Sequence, residues 1–292
     1  MSPLPFAVSV EQLLVPFGSL FVNLQVRLFE PATPIGTVVC YHGFSGNGAD
    51  FEPLAHALAL NGYLVVCPDL VGRGASGHFD DPHQYNLNNV VTAAAAVLQK
   101  YGTAGTAVVA MGWGAVIALV LLDRTRAPVA RLLLCDLPLD FSPLADPVIA
   151  RAIADVGISF ATREEAERHV LASPEFDSIR DGDPGLVAHR VRAADGRFRL
   201  SHDDGIVARL GSFAGRHFDI AQLLRKPAAR TLLLYGRALD AASRATVDRL
   251  RATARIDCID GLTPSAPLLL RSTLELLIAL GFIAHRLPDQ RA

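Results

Sequence analysis

The sequence has no apolar run that approaches the roughly 18 residues of a membrane-spanning helix. Its first residues, MSPLPFAVSVEQ, contain no lysine, arginine or leader-like apolar block, so we expect a cytoplasmic protein without a membrane-bound part. The net charge of −2, with scattered basic residues, disfavours nucleic acid as a partner. The glycine-rich stretches GNG and GRG fit no phosphate-binding loop, and we expect no cofactor. The four cysteines lack metal-binding spacing and are expected to be reduced thiols, with no metal site: Cys40, Cys67, Cys135 and Cys258.

Hydrophobic residues nevertheless make up 51% of the chain and are gathered in short runs. Such runs are typical of strands that are buried on both faces of a parallel sheet. Because the runs alternate with helical patterns of ten or more residues, the sequence predicts right-handed βαβ crossovers and an α/β fold with a mostly parallel central sheet flanked by helices. The predicted strands lie at 7–15, 19–30, 37–42, 63–69, 106–111, 131–136, 230–235 and 255–259, and the predicted helices at 50–62, 86–101, from 113, at 241–253 and at 266–285.

Residues 138–216, which we call the insertion, interrupt this alternation. The segment is richer in charge, contains the helical stretch TREEAERHVLA and returns through DGRFRLSHDDG. An excursion of about 80 residues is too long for a loop and predicts a folded unit. In a parallel-sheet protein it would emerge at the carboxyl ends of the strands, where ligands bind. We therefore interpret it as a helical cap over a pocket, with residues 1–137 and 217–292 as the core and SHDDG (201–205) as a solvated turn.

Three motifs follow consecutive predicted strands: YHGFSGNG (41–48), PDLVGRGASG (68–77) and AVVAMGWGAVIAL (107–119). In this order and spacing they resemble the α/β-hydrolase superfamily, specifically its capped branch of esterases, epoxide hydrolases, dehalogenases and C–C bond hydrolases. The resemblance covers roughly residues 20–285. It implies an α/β-hydrolase fold whose nucleophile would stand on the sharp turn between the fifth strand and the next helix.

Gly112 occupies the position of that nucleophile. The family motif G-x-S-x-G reads AMGWG at residues 110–114, and glycine has no side-chain atom with which to attack. The resemblance places the acid and the histidine after the last two strands, where Leu239 and Leu262 stand, with Asp240 one residue late. We therefore interpret all three positions of a Ser-His-Asp triad as vacant. Without the histidine, no group is expected to assist the deprotonation of a hydroxyl or a water.

An oxyanion hole needs only backbone amides, and by position in the family these belong to Phe44 and Trp113. Two side chains are candidate acid–base groups. His42 either orients its own loop or faces the pocket as a proton donor, and Asp136 follows a strand after which some capped relatives place their acid. Trp113 is the only tryptophan of the chain and is expected to form part of the pocket wall.

The sequence thus favours a pseudoenzyme that binds a small apolar molecule or a protein partner beneath the cap, with Leu239, Asp240 and Leu262 lining the pocket. The alternative is a hydrolase, lyase or cyclase of small-molecule metabolism that combines the oxyanion hole with His42, Asp136 or a cap histidine. A third hypothesis is a mainly structural subunit of a homo-oligomer. Because fold does not determine function, the identity of the ligand stays open.

Overall fold

A computed structural model of the protein describes residues 5–125, 127–139, 146–179, 184–207, 219–225, 228–262 and 273–284. Within these ranges, eight strands form one sheet: β1 (Phe6–Phe17), β2 (Leu20–Pro31), β3 (Gly36–Tyr41), β4 (Tyr63–Pro68), β5 (Thr106–Met111), β6 (Val129–Cys135), β9 (Arg230–Leu234) and β10 (Ile256–Ile259). A separate hairpin pairs β7 (Val191–Ala194) with β8 (Arg197–Leu200). The helices are α1 (Glu52–Leu60), α2 (Leu87–Tyr101), α3 (Trp113–Arg124), α4 (Pro147–Ala154), α5 (Arg163–Leu171), α6 (Ile220–Arg225), α7 (Ala241–Arg251) and α8 (Thr273–Ile283).

The strands follow the order β1-β2-β4-β3-β5-β6-β9-β10 across the sheet. Strand β2 is antiparallel to both β1 and β4, and the other neighbours are parallel, which confirms the predicted mostly parallel sheet. The chain runs outward from β3 to β4 and then returns past β3 to β5. The loops that leave β3 and β5 therefore diverge, and the crevice between them is where open α/β sheets bind ligands.

Helices cover both faces of the sheet. A larger apolar cluster lies on the face of α2, α3, α6 and α7, and a smaller one lies beneath α1 and α8. This double cover explains why every residue of β5 is buried and why the strands read as apolar runs. Among the described helices, none is both long and apolar enough to cross a membrane.

The insertion separates β6 from β9, and its described part contains α4, α5 and the β7–β8 hairpin. Thr162 and Glu165 form a capping box that begins α5, because each side chain accepts a hydrogen bond from a backbone amide of the other. A small apolar core joins α5 to the hairpin. The predicted boundary at 216 lies outside the described residues, and the extent of the cap stays a prediction.

The prediction of a solvated turn at SHDDG is wrong. His202 is buried and pairs with Arg73 in an isolated antiparallel bridge. Asp203 accepts a 2.6 Å hydrogen bond from the hydroxyl of Tyr85, just before α2. The end of the insertion is thus attached to the loop that follows β4.

Candidate functional site

The turn between β5 and α3 has the backbone geometry of a nucleophile elbow. Gly112 has φ 49° and ψ −117°, a combination that residues with a Cβ rarely adopt. A Cβ built on Gly112 would meet no atom within 4 Å, so a side chain at this position would point into open space. The turn therefore has the backbone shape of a nucleophile elbow, but its central residue has no side chain to point into the open space.

A second glycine brings α3 against the end of β3. A Cβ on Gly114 would lie 2.4 Å from the carbonyl oxygens of both Tyr41 and His42, closer than any real Cβ contact. Only glycine allows this approach, which places the first turn of α3 beside the loop that follows β3.

The two predicted oxyanion residues come together here. Trp113 is the first residue of α3, and its ring contacts that of Phe44 edge to face, with centroids 6.3 Å apart. Arg73 fixes the Phe44 loop, because its Nε donates a 3.1 Å hydrogen bond to the Phe44 carbonyl. The amino-terminal end of α3 adds a partial positive charge at this point. The turn is therefore suited to contact a carbonyl oxygen or another electron-rich atom.

A cavity of about 360 Å³ lies above the turn. Its apolar wall includes Phe44, Met111, Trp113, Val148, Ile149 and Leu239. Its polar wall includes Asp136, Asp146, Glu175, Arg190, Arg237 and Asp240. Residues from the sheet loops and from α4 meet in this wall, so the insertion contributes to the cavity.

His42 is occupied by backbone contacts and does not line this cavity. Its Nε2 accepts a 2.9 Å hydrogen bond from the Leu70 amide, so Nδ1 carries the proton and donates to the Gly43 carbonyl at 2.8 Å. Complete burial lowers the pKa of His42 to about 4 and keeps the ring neutral. The structure thus corrects the hypothesis of a pocket-facing proton donor, and His42 instead connects the loops after β3 and β4.

Asp136 faces the cavity from the carboxyl end of β6. It has φ 43°, which is uncommon for a residue with a side chain. Its Oδ1 accepts a 3.0 Å hydrogen bond from the Gly236 amide, just after β9. Of the two predicted acid–base candidates, Asp136 is the one that reaches the cavity.

The loops after β9 and β10 contribute unequally. Leu239 lines the cavity, and its amide donates a 2.7 Å hydrogen bond to Asp260. Asp240 also lines the cavity, but its carboxylate begins α7 by accepting a 2.7 Å hydrogen bond from the Ser243 amide, which lowers the pKa of Asp240. The expectation for Leu262 is corrected, because this side chain packs against the cluster beneath α1 and α8 and does not line the cavity.

Sequence reasoning missed a buried ion network that joins the insertion to the core. Arg190 forms two hydrogen bonds with Asp50 and a third with Glu175. Burial by itself would raise the pKa of Asp50, but the Arg190 charge and a hydrogen bond from His189 hold it well below its usual range. Ser45 also donates to Glu175, at 3.2 Å. No spacing pattern could have indicated these contacts, since Arg190 and Asp50 are 140 residues apart.

Comparisons with known proteins agree with this fold. A family model described as the alpha/beta hydrolase fold matches residues 36–167. The chain is 32% identical over 136 residues to a 3-hydroxybutyrate-oligomer hydrolase of Cupriavidus necator, covering 47% of this chain and 45% of that protein. It is 27% identical over 207 residues to epoxide hydrolase A of Mycobacterium tuberculosis, covering 65% of this chain and 60% of that protein. The chain thus spans about half the length of these curated relatives.

A crystal structure of an alpha/beta hydrolase from Novosphingobium aromaticivorans has the same fold. It superposes with a TM-score of 0.75 at 22% identity, over 95% of this chain and 99% of that one. This structural likeness concerns the fold alone. The family model adds a match at the level of sequence, from β3 into α5. The chain therefore has the α/β-hydrolase fold, and its residues 36–167 match the model of that family.

Proposed function

We propose that the protein is a non-catalytic α/β-hydrolase homologue that binds a small, largely apolar molecule in the cavity above the elbow. Gly112 is the observation that carries this proposal. The turn retains the backbone conformation and the open space of a nucleophile position, but the position has no atom that could form a covalent bond with a substrate.

The loops of the other two triad positions support the same proposal. Leu239 stands where the resemblance places the acid, and its side chain extends the apolar wall. Leu262 stands where it places the histidine, and its side chain packs into the core. A charge-separated transition state would therefore lack the general base that an ester hydrolase uses.

The walls favour a neutral ligand with an apolar body and a carbonyl group. The aromatic rings of Phe44 and Trp113 and the side chains of α4 would contact the body. The amino-terminal end of α3 would attract the carbonyl oxygen. A volume of about 360 Å³ lies within the range of small-molecule sites, so we favour a small molecule over a protein partner.

The first experiment compares hydrolysis with binding. Purified protein is assayed on a panel of short and medium acyl esters, alongside Gly112→Val, which fills the elbow. Binding of the neutral apolar dye Nile red is measured for the same proteins and for Leu239→Trp, with Leu60→Trp, an exposed position at the end of α1, as the matched control. We expect no ester hydrolysis, and dye binding that Leu239→Trp weakens and Leu60→Trp does not. Hydrolysis by the wild type that is lost in Gly112→Val would contradict the proposal.

A second candidate function is an enzyme that uses Asp136. The strained φ of Asp136 beside the cavity favours this alternative, because such conformations concentrate at functional sites. Backbone donors and binding without a triad can leave roughly 10³–10⁴-fold catalysis over water in other hydrolases. Activity that Asp136→Asn abolishes while the melting temperature is retained would favour the enzyme over the binding protein.

A further inference from the structure

We propose that a second cavity, between the β7–β8 hairpin and the loop after β4, binds the oxyanion group of a small organic molecule, either a phosphate or a carboxylate. The cavity has a volume of about 350 Å³ and includes Gly72, Gly74, Arg192, Arg199 and His202 in its wall. The inference is independent of the function proposed for the elbow.

The hairpin has one apolar face and one cationic face. Alternation along the strands places Val191 and Leu200 on the face that packs against α5. The opposite face carries the arginines, and Arg192 lies directly across from Arg199 in the register. Like charges in directly opposed positions destabilise a strand pair, so the fold bears a cost to hold two guanidinium groups together. An anion between them would remove that cost.

Two of the three arginines on this face retain hydrogen-bonding capacity. Arg197 is committed to Ser159, to which it donates through Nε at 2.8 Å and Nη2 at 3.1 Å. In the part of the chain that the structure describes, Arg192 and Arg199 have no ion-pair or hydrogen-bond partner, and the Nε of Arg199 is a buried donor without an acceptor. Buried donors are almost always paired in native proteins, so this one indicates an acceptor supplied by a ligand.

His202 supplies a third polar group to the same wall. The residue is 9% exposed, and its ring has no hydrogen-bond partner among the described residues. Burial and the nearby charge of Arg73 lower the pKa of His202 to about 4, so the neutral ring can donate one hydrogen bond. Two guanidinium groups and an imidazole N–H form a donor set typical of phosphate or carboxylate recognition.

The carboxylates in this wall already have partners. Asp155 accepts a 3.1 Å hydrogen bond from Arg151 Nε and pairs with His169. Asp203 accepts from the Tyr85 hydroxyl, and Asp204 accepts from the Gly157 amide. The cavity is larger than an inorganic oxyanion needs, so the ligand has an organic body, and its charged group would lie at the arginine end.

Isothermal titration of phenyl phosphate and of benzoate in Tris–chloride buffer tests the proposal and separates the two oxyanions. We expect saturable binding of at least one probe, weakened at least about tenfold in Arg192→Gln/Arg199→Gln. Arg197→Gln is the matched control, because it removes a positive charge from the same face of the hairpin, but one whose guanidinium group already donates to Ser159. The affinity of this variant for the probe should stay within about twofold of wild type. If the double variant does not fold, the single variants Arg199→Gln and His202→Ala replace it in the titration. Equal affinity in wild type and the arginine variants, or no saturable binding of either probe by wild type, would overturn the proposal.

Discussion

Arg190 of the insertion and Asp50 of the loop after β3 form a two-point ion pair. Arg190 Nε lies 3.0 Å from Asp50 Oδ1, and Nη2 lies 2.9 Å from Oδ2. The two side chains are 3% and 2% exposed. The pair is therefore shielded from water and salt, and each charge depends on the other for solvation.

Replacing Arg190 with glutamine should destabilise the protein strongly, because Asp50 and Glu175 would remain buried without their cation. Loss of one partner of a buried ion pair costs about 3–5 kcal/mol in the free energy of unfolding. Arg168→Gln is the control, since the Arg168–Glu164 pair on α5 is exposed and such pairs contribute at most about 1 kcal/mol. Urea denaturation measures both. Similar losses in the free energy of unfolding for the two variants would show that the buried ion network stabilises the fold no more than an exposed ion pair does.

Replacing Gly114 with alanine should prevent or greatly weaken folding. The added methyl group would lie 2.4 Å from two carbonyl oxygens of the β3 end, and backbone atoms cannot move aside cheaply. Gly43→Ala tests the same region without the clash, because its Cβ would approach no atom closer than the Met111 carbonyl at 4.0 Å. We expect a loss above about 3 kcal/mol for Gly114→Ala, in the upper range for single substitutions, and little change for Gly43→Ala. A melting temperature for Gly114→Ala close to wild type would mean that α3 can move away from β3.

Replacing Gly112 with serine should lower stability without creating an esterase. There is space for the side chain, but a residue with a Cβ at this backbone conformation costs about 1–3 kcal/mol. Gly105→Ser is the matched control, since Gly105 also has a positive φ and open space but lies before β5, away from the cavity. Thermal melts should show similar losses for both. A Gly112→Ser variant as stable as wild type would contradict the strain argument, and ester hydrolysis by it would show that a working base is present.

Stability should fall as the pH decreases from 6.5 towards 4. A histidine in an unfolded chain titrates near 6.5, whereas burial lowers the pKa of His42 and His202 to about 4. Between these values the unfolded chain binds more protons, so the contribution of the neutral rings is fully present above 6.5 and is lost on acidification. At pH 5 the loss should be about 2 kcal/mol for each histidine.

Urea denaturation at pH 7.5 and pH 5.0 measures this dependence. The double variant His42→Gln/His202→Gln should be less stable than wild type at pH 7.5, but its free energy of unfolding should change less between the two pH values. An equal change in wild type and the variant would assign the acid sensitivity to other groups.

The sheet and its order of strands and helices could be predicted from the sequence. All eight strands of the sheet lie within two residues of their predicted bounds, because burial on both faces makes each strand a continuous apolar run. The elbow could also be located, since Gly112 and Gly114 serve a backbone conformation and a close approach that depend on local sequence.

The polar contacts between the insertion and the core could not be predicted. Arg190 and Asp50 meet only after the insertion has folded, and so do Asp203 and Tyr85. The sequence also could not decide whether His42 orients its loop or faces the pocket, because that depends on whether the Leu70 amide reaches the His42 ring. Such pairings between distant segments have no periodicity or spacing in a single sequence.

The attachment of Arg190 to Asp50 means that the insertion is not an interchangeable module. Asp50 lies only a few residues after Phe44 in the loop that follows β3. Arg190, which lines the cavity from the insertion, therefore also holds the loop whose Phe44 lines the cavity from the core. Exchange of the insertion for that of another protein of this fold would leave the Asp50 carboxylate buried without Arg190, and the loop after β3 would lose this contact. Recombination of the two parts must therefore transfer Asp50 and Arg190 together, and the two segments are expected to have diverged as one unit.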